Sequence, residues 1–239
     1  MWKHLSSLDE GTTNPAFKND KEIAEFERNL RTDKLPLAQL STELREIIKN
    51  KKELFKKTLD DLATFVKKDL RKYNKTKFMY QIKSIESIID KAVVRKKGLL
   101  ALNDLVRGAV LLETKEDADD YVKTFIRKNK SSVIWYEEKQ RGQDKEYGYY
   151  GSHHIDLIIN GLVVELQVMT KKLWSYKEAA HQIYNANRSK QDGSVSKEDQ
   201  YDSKKIFSLG NKKKYVRESF TDEELGEMIY DDWKTLDLE

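Results

Sequence analysis

The sequence predicts an α+β fold: a mixed β-sheet with helices packed around it and helical extensions at both ends. Three observations carry this. Residues 153–168, HHIDLIINGLVVELQV, show a strand-turn-strand pattern. Between 78 and 187, short apolar runs suited to strands are interspersed with amphipathic stretches suited to helices. Residues 38–73 hold a long run of helical apolar spacing, dense in Lys and Glu.

In chain order, residues 1–19 read as loose, with Gly-Thr-Thr-Asn-Pro at 11–15. Ile23, Phe26 and Leu30 space a short helix from Asp20, and Pro36 then breaks the chain. Leu40, Leu44, Ile47, Ile48, Leu54, Leu59, Leu62 and Phe65 predict one long helix over 38–73. A short strand at 78–83 leads into a helix over 84–97. Leu105–Glu113 reads as a buried strand, 115–128 as a helix and 133–137 as a third strand. A polar loop, KQRGQDKEYG, precedes the hairpin, and a helix over 171–187 follows it. Residues 188–204 read as a polar, linker-like stretch, and the tail 212–239 as one or two terminal helices. No internal repeat is present.

The hairpin can be registered from its turn. Asn160-Gly161 suits a two-residue type I′ turn, whose central positions both need positive φ. Closing it pairs Ile159 with Leu162, Leu157 with Val164, Asp156 with Glu165, Ile155 with Leu166 and His154 with Gln167. Side chains alternate between faces, so Ile155, Leu157, Ile159, Leu162, Val164, Leu166 and Val168 form a core face. The other face carries His154, Asp156, Glu165 and Gln167 beside Ile158 and Val163. Two opposed carboxylates repel, which calls for a cation between or above them.

Composition narrows the function. The 239 residues are 36% charged, yet the net charge is only +4, so both signs are interspersed and nucleic-acid binding is not announced. With no cysteine there is no disulfide, thiolate nucleophile or Cys-based zinc site. Four scattered histidines do not suggest a His-rich metal site. No apolar run approaches a membrane span, so a soluble cytoplasmic protein with no membrane partner is expected.

Four constellations could carry chemistry. Asp104, at the entrance of one strand, and Glu165, inside another, either form structural ion pairs, for example with Arg107, or hold Mg²⁺ from neighbouring strands. Lys83 and Ser84 precede a helix N-terminus, which is either ordinary capping or a phosphate cradle. In YGYYGSHHID, Tyr149 and Tyr150 either stack on a nucleobase or cover a core edge, and His153 and His154 point to opposite faces. Trp174, Glu178 and His181 share a helix face. They either pack that helix under the sheet or, for Glu178 and His181 together with Asp156, support the reacting groups from behind.

Taken together and in this order, IKSIESIIDK, NDLVRGAVLL, YGYYGSHHIDL, VVELQVMT and LWSYKEAAHQIY resemble the synthetase domain of the RelA/SpoT family. The likeness is to its small single-domain alarmone synthetases, including the toxic branch, and covers about residues 78–187. It implies a nucleotidyltransferase-like fold. The domain division is then a helical extension at 1–77, a synthetase core at 78–187, and a linker with a helical tail at 188–239. It also implies an ATP-dependent pyrophosphokinase that moves the β,γ-pyrophosphate of ATP to the 3′-hydroxyl of a guanine nucleotide, GDP or GTP, with Mg²⁺.

By the same resemblance, Asp104 is the metal-binding aspartate and Glu165 holds metal or takes the acceptor's proton. Lys83, Ser84, Lys91 and Arg107 face the donor phosphates. Tyr149, Tyr150, one of the two histidines and Gln167 belong to the acceptor side. The family's spacing from Lys145, Gly148 and Tyr149 points to His153, whereas the hairpin register puts His154 beside Glu165; a bulge at 153–154 would reconcile them. Two positions depart from the pattern. Gln81 stands where the family commonly has an arginine that stacks on adenine, and Tyr150 where it has Arg or Lys. The hydrolase half of long members is not seen.

Such chains include toxins neutralised by an antitoxin protein, some acting on the 3′-terminal adenosine of tRNA. Lysine clusters at 49–52, 56–57, 71–77 and 95–97 would suit an RNA backbone, or are solvated helix faces. A catalytically inactive nucleotide-binding relative is the third alternative.

Overall fold

The computed structural model describes residues 14–188, 195–211 and 234–238. Its centre is a six-stranded mixed sheet of β1 (Thr76–Ile82), β2 (Val106–Leu112), β3 (Val133–Glu138), β4 (His153–Ile159), β5 (Leu162–Thr170) and β6 (Lys234–Leu238), in the order β3-β4-β5-β2-β1-β6. Only β2 and β5 run parallel; the excursion through the next helix, β3 and β4 lets the chain return beside β2 in the same direction.

The hairpin has the register its turn dictates. Asp156 pairs with Glu165, and every rung from His154–Gln167 to Ile159–Leu162 falls as expected. Asn160 and Gly161 have φ of 52° and 77°, the positive values that a type I′ turn needs. No bulge interrupts the β4–β5 pairing; the irregularity lies in β3, between Val133 and Trp135.

Helices α1 (Lys21–Arg31), α2 (Leu37–Asn50), α3 (Lys52–Leu70), α4 (Ile85–Ile89) and α5 (Lys115–Lys128) serve one face of the sheet. Asp20 caps α1 by accepting from the N–H groups of Glu22 and Ile23, and Ile23, Phe26 and Leu30 supply its buried stripe. The single helix expected over 38–73 is instead two, α2 and α3. At Lys51, φ of −94° and ψ of 3° turn the chain, and the Lys51 ammonium pairs with the Asp20 cap of α1. That turn lets α2 pack on α4 while α3 lies under β1 and β2. The helix after Ser84 is also shorter than expected. It widens into a π-turn at Asp90–Val94 and stops at Arg95.

These elements share one apolar core running from Phe17 to Val168, so the N-terminal helices and the sheet bury a common surface. Fully burying one such Leu or Phe contributes about 1.5–3 kcal/mol. Asn14 locks the assembly. It is 1% exposed, and its side chain donates to the Leu100 and Leu102 carbonyls and accepts from Val163 N–H. The expectation of a loose stretch over 1–19 therefore fails at Asn14–Phe17, and 1–13 lies outside the described residues.

The opposite face carries a smaller cluster of Met79, Ala109, Leu111 and Met169, covered by α6 (Lys171–Arg188) and α7 (Lys197–Gly210). Helix α7, capped by Ser196, falls where 188–204 read as a linker. The tail expected as helices includes β6, antiparallel to β1; residues 212–233 lie outside the described residues.

Candidate active site

Directly paired residues share a sheet face, so the ladders fix what stands together. Gln81, Arg107, Glu165 and Asp156 form one row across β1, β2, β5 and β4, and Met79, Ala109, Gln167 and His154 form the next. The face under α6 thus carries polar and charged groups over the part that the Met79 cluster leaves uncovered.

Beyond the strand end beside this row, just before β2, sits Asp104, 5% exposed. Both Lys83 and Lys91 donate to its Oδ2, at 2.6 and 2.5 Å. Lys83 leaves the end of β1, and the π-turn after α4 brings in Lys91. Burial opposes charge on Asp104, but the two ammonium groups outweigh it and hold its pKa below the usual carboxylate range. Burial pushes Lys83 down to about 8, although Asp104 counteracts this. Ser84 is exposed; its hydroxyl caps α4 by accepting from Ser87 N–H.

Glu165 lies at the centre. Burial would raise its pKa, yet the hydrogen bond and charge of His154, with Lys177 and Arg107 behind them, hold it far below the usual range. His154 Nδ1 meets Glu165 Oε1 at 3.1 Å, and its Nε2 meets the Tyr149 hydroxyl at 3.3 Å. Lys177, from α6, donates to Gln167 Oε1 at 2.7 Å and lies 4.4 Å from the centre of the Trp174 ring. Burial pushes Lys177 down to about 8. Asp156, opposite Glu165, accepts from Asn103 at 2.9 Å. Burial, with repulsion from Glu165 and Asp104, drives it up to about 7. Asp104 Oδ1 and Asp156 Oδ1 are both buried without a hydrogen-bond partner.

Farther along α6, Glu178 is buried and its pKa raised by that burial. His181 is pushed down to about 4 by burial and by the Lys177, Arg107 and Lys83 charges, and it stacks on Tyr184. Tyr149 borders a cavity of about 210 Å³ between α6 and α7, walled also by Tyr147, Tyr184 and Phe207. Tyr150 faces a second cavity on the other side of the same loop.

The structure brings Asp104, Lys83, Lys91, Arg107, Glu165, His154, Gln167, Asp156 and Tyr149 to one face, and separates His153 from them. His153 points to the opposite face, where its ring meets Asp119 Oδ1 at 2.8 Å and the Tyr136 hydroxyl at 3.0 Å. The choice between the histidines thus resolves to His154 on the Glu165 side, as the register required. Asp119, Glu138 and His153 have ligand atoms within 4.8 Å of one another, the one such group among the described residues. Lys115 already bridges Asp119 and Glu138 at 3.0 and 3.2 Å, so the chain supplies that cation itself. Sequence reasoning missed Lys177 and Asn103. Lys177 stands three residues after Trp174, a spacing that signals a shared helix face, whereas nothing local marks Asn103.

No protein-family model matches the sequence, and no curated protein does. Solved structures do. Small alarmone synthetase 1 from Bacillus subtilis, bound to its product pppGpp, is 16% identical over 65% of this chain and 86% of that one, with a TM-score of 0.51. A GTP pyrophosphokinase family protein from Streptococcus pneumoniae is 19% identical over 70% and 87%, also with a TM-score of 0.51. Small alarmone synthetase 2 from Bacillus subtilis is 20% identical over 67% and 90%, with a TM-score of 0.50. At these identities the likeness establishes the fold: the chain is built like the small alarmone synthetases.

Proposed function

We propose that this chain is a metal-dependent pyrophosphokinase that moves the β,γ-pyrophosphate of ATP onto the 3′-hydroxyl of a guanine nucleotide. One observation carries the reading: Asp104, just before β2, and Glu165, within the neighbouring β5, stand on one face with Lys83, Lys91 and Arg107. In-line transfer of a phosphoryl group needs charge neutralisation and positioning more than covalent chemistry, and this collection supplies both. The reacting unit is 78–187, with 1–77 and 188–239 as its extensions.

The residues fit a hard divalent cation. Asp104 and Asp156 each keep one buried carboxylate oxygen with no hydrogen-bond partner, which oxygen-seeking Mg²⁺ would satisfy. Asp104 and Glu165 would hold it. When bound, Mg²⁺ neutralises the triphosphate. Lys83 and Lys91, both spent on one oxygen of Asp104, then have a donor phosphate to turn to, and Arg107 stands beside them in the row. Tyr149 offers its ring to the acceptor base. Through His154 it orients Glu165, whose firmly held charge suits fixing metal and ribose more than taking up a proton.

The test is transfer from ATP labelled at the γ-phosphate to GDP, GTP, ADP and deacylated tRNA offered separately. Guanine nucleotide should acquire label as AMP is released. Label on tRNA alone would replace the acceptor, and no label anywhere would leave the inactive relative. Lys49, Lys51, Lys56 and Lys57 are paired with Glu46, Asp20, Glu53 and Asp61, the arrangement of a solvated helix face.

A further inference from the structure

The loop between β3 and β4 encloses an aromatic chamber together with α6 and α7. Its neck is closed by two backbone bonds, Lys139 N–H to Ser152 and Gly151 N–H to Lys139, each 2.8 Å. Helix α7 holds the loop from outside: Ser203 donates to the Tyr147 carbonyl at 2.8 Å and Asn211 to the Tyr150 carbonyl at 3.2 Å. The Tyr149 ring then lies 5.1 Å from Phe207, and Tyr184 of α6 stands 5.3 Å from Tyr147 and 5.5 Å from His181. These rings wall the cavity of about 210 Å³. An apolar cavity of about 150 Å³ takes up a benzene, so this one has room for a larger flat ring.

Among the residues that border it, Lys177 carries the positive charge, since burial keeps His181 neutral. An ammonium has three N–H donors. One goes to Gln167 Oε1 at 2.7 Å, and the nitrogen lies 4.4 Å from the centre of the Trp174 ring. A donor is left for whatever enters the chamber. The bordering carboxylate, Asp144, is already spent on the N–H groups of Glu146, Tyr147 and Tyr149. Half-buried Lys177 thus stands between the rings and the catalytic face: Gln167, which it holds, is two residues beyond Glu165 along β5.

We propose that Lys177 is the residue that selects the acceptor base, reading the O6 and N7 atoms of a guanine held among the rings. The inference rests on the pyrophosphokinase reading and deepens it. A base in the chamber can extend its ribose toward Glu165. Guanine presents two neighbouring acceptors, O6 and N7, to the one ammonium, a common specific contact of lysine. Adenine presents N7 beside an amino group, so donor meets donor and the contact is lost. The other edge of guanine, with its N1–H and 2-amino group, calls for an acceptor, and Asp144 is already occupied. Hypoxanthine keeps O6 and N7 and lacks the 2-amino group, so it should serve as well as guanine.

The experiment measures KM and kcat for GDP, inosine diphosphate, 7-deaza-GDP and ADP in the wild type, Lys177→Met and Lys177→Arg. Lys171→Ala is the control, on the same helix but paired with Glu113 at 2.7 Å and away from the chamber. The wild type should use GDP and inosine diphosphate alike, and both roughly ten- to a hundredfold better than ADP, with 7-deaza-GDP in between. Lys177→Met should raise KM for GDP and inosine diphosphate roughly tenfold and spare ADP, whereas Lys177→Arg, which keeps the donors, should preserve the preference. Lys177→Met also frees Gln167, which lowers kcat for every acceptor. That loss alone, with the GDP-to-ADP ratio intact, reduces Lys177 to a support of Gln167 and overturns the inference. Inosine diphosphate used much less well than GDP overturns it too, by placing recognition on the 2-amino group. If the wild type transfers to nothing, the pyrophosphokinase reading itself fails. Calorimetric titration with GDP, inosine diphosphate and ADP then still decides on Lys177: equal binding of GDP and ADP, or a ratio that Lys177→Met leaves unchanged, refutes it.

Discussion

Replacing Asn14 by alanine is expected to destabilise the protein far more than a polar residue beside a proline would suggest. The Leu100 carbonyl keeps the Asn14 backbone N–H at 3.0 Å, but the Leu102 carbonyl and Val163 N–H lose side-chain partners at 2.8 and 2.7 Å. Both bonds are buried, and each orphaned group costs about 1–3 kcal/mol, so a loss of about 3 kcal/mol follows. For a domain of this size that is a fall of about 6–12 °C in Tm. Urea unfolding, with the slope unchanged and the midpoint lowered, is the assay. Asn14→Asp sharpens it. The carboxylate still accepts from Val163 but can donate to Leu102 only when protonated. Its folded-state pKa should therefore lie above the unfolded one, and its stability deficit should shrink as pH falls through that range. A loss below about 1 kcal/mol for Asn14→Ala would refute this account of Asn14 as the clamp joining the Leu100–Leu102 segment to β5.

Three further outcomes are expected. Asp104→Asn and Glu165→Gln should each reduce labelled transfer to background; transfer surviving either change would mean the reaction centre is misplaced. Without divalent metal, Asp156→Asn should become stabilising relative to wild type as pH rises. The Asp156 pKa is raised from 3.8 to about 7, so the folded state binds the extra proton and wild-type stability falls across that window. Titration of His181 opposes that fall in both proteins and cancels in their difference, so a flat difference from pH 4 to 8 would contradict the assignment. Finally, replacing Lys52, Lys56 and Lys57 together by alanine should leave transfer to guanine nucleotides intact, since Lys56 and Lys57 already answer Glu53 and Asp61. Selective loss of tRNA labelling would instead revive the RNA acceptor.

What the sequence made legible was whatever local chemistry determines. The Asn160-Gly161 turn sets the hairpin register, and the register alone assigns His154 to Glu165 and His153 to the far side. Helix α5 was readable because Thr114 caps it and its apolar spacing is regular. The break at Lys51 was not, for no Gly or Pro marks it; the turn answers to Asp20, 31 residues earlier. Asn14 was missed for a similar reason, its partners lying up to 149 positions away. Helix α7 did carry a signal, Ser196 three residues before Asp199, but so polar a stretch reads as linker until Phe207 is seen against Tyr149. Strand β6 depends on pairing with β1 from far along the chain, which no short window contains.

The way α7 is mounted bears on how proteins of this build could diversify. It grips the loop through Ser203, Phe207 and Asn211 and contributes no rung to the sheet. Changes along that one helix can therefore reshape the outer wall of the loop while the strand register keeps the carboxylates where they are.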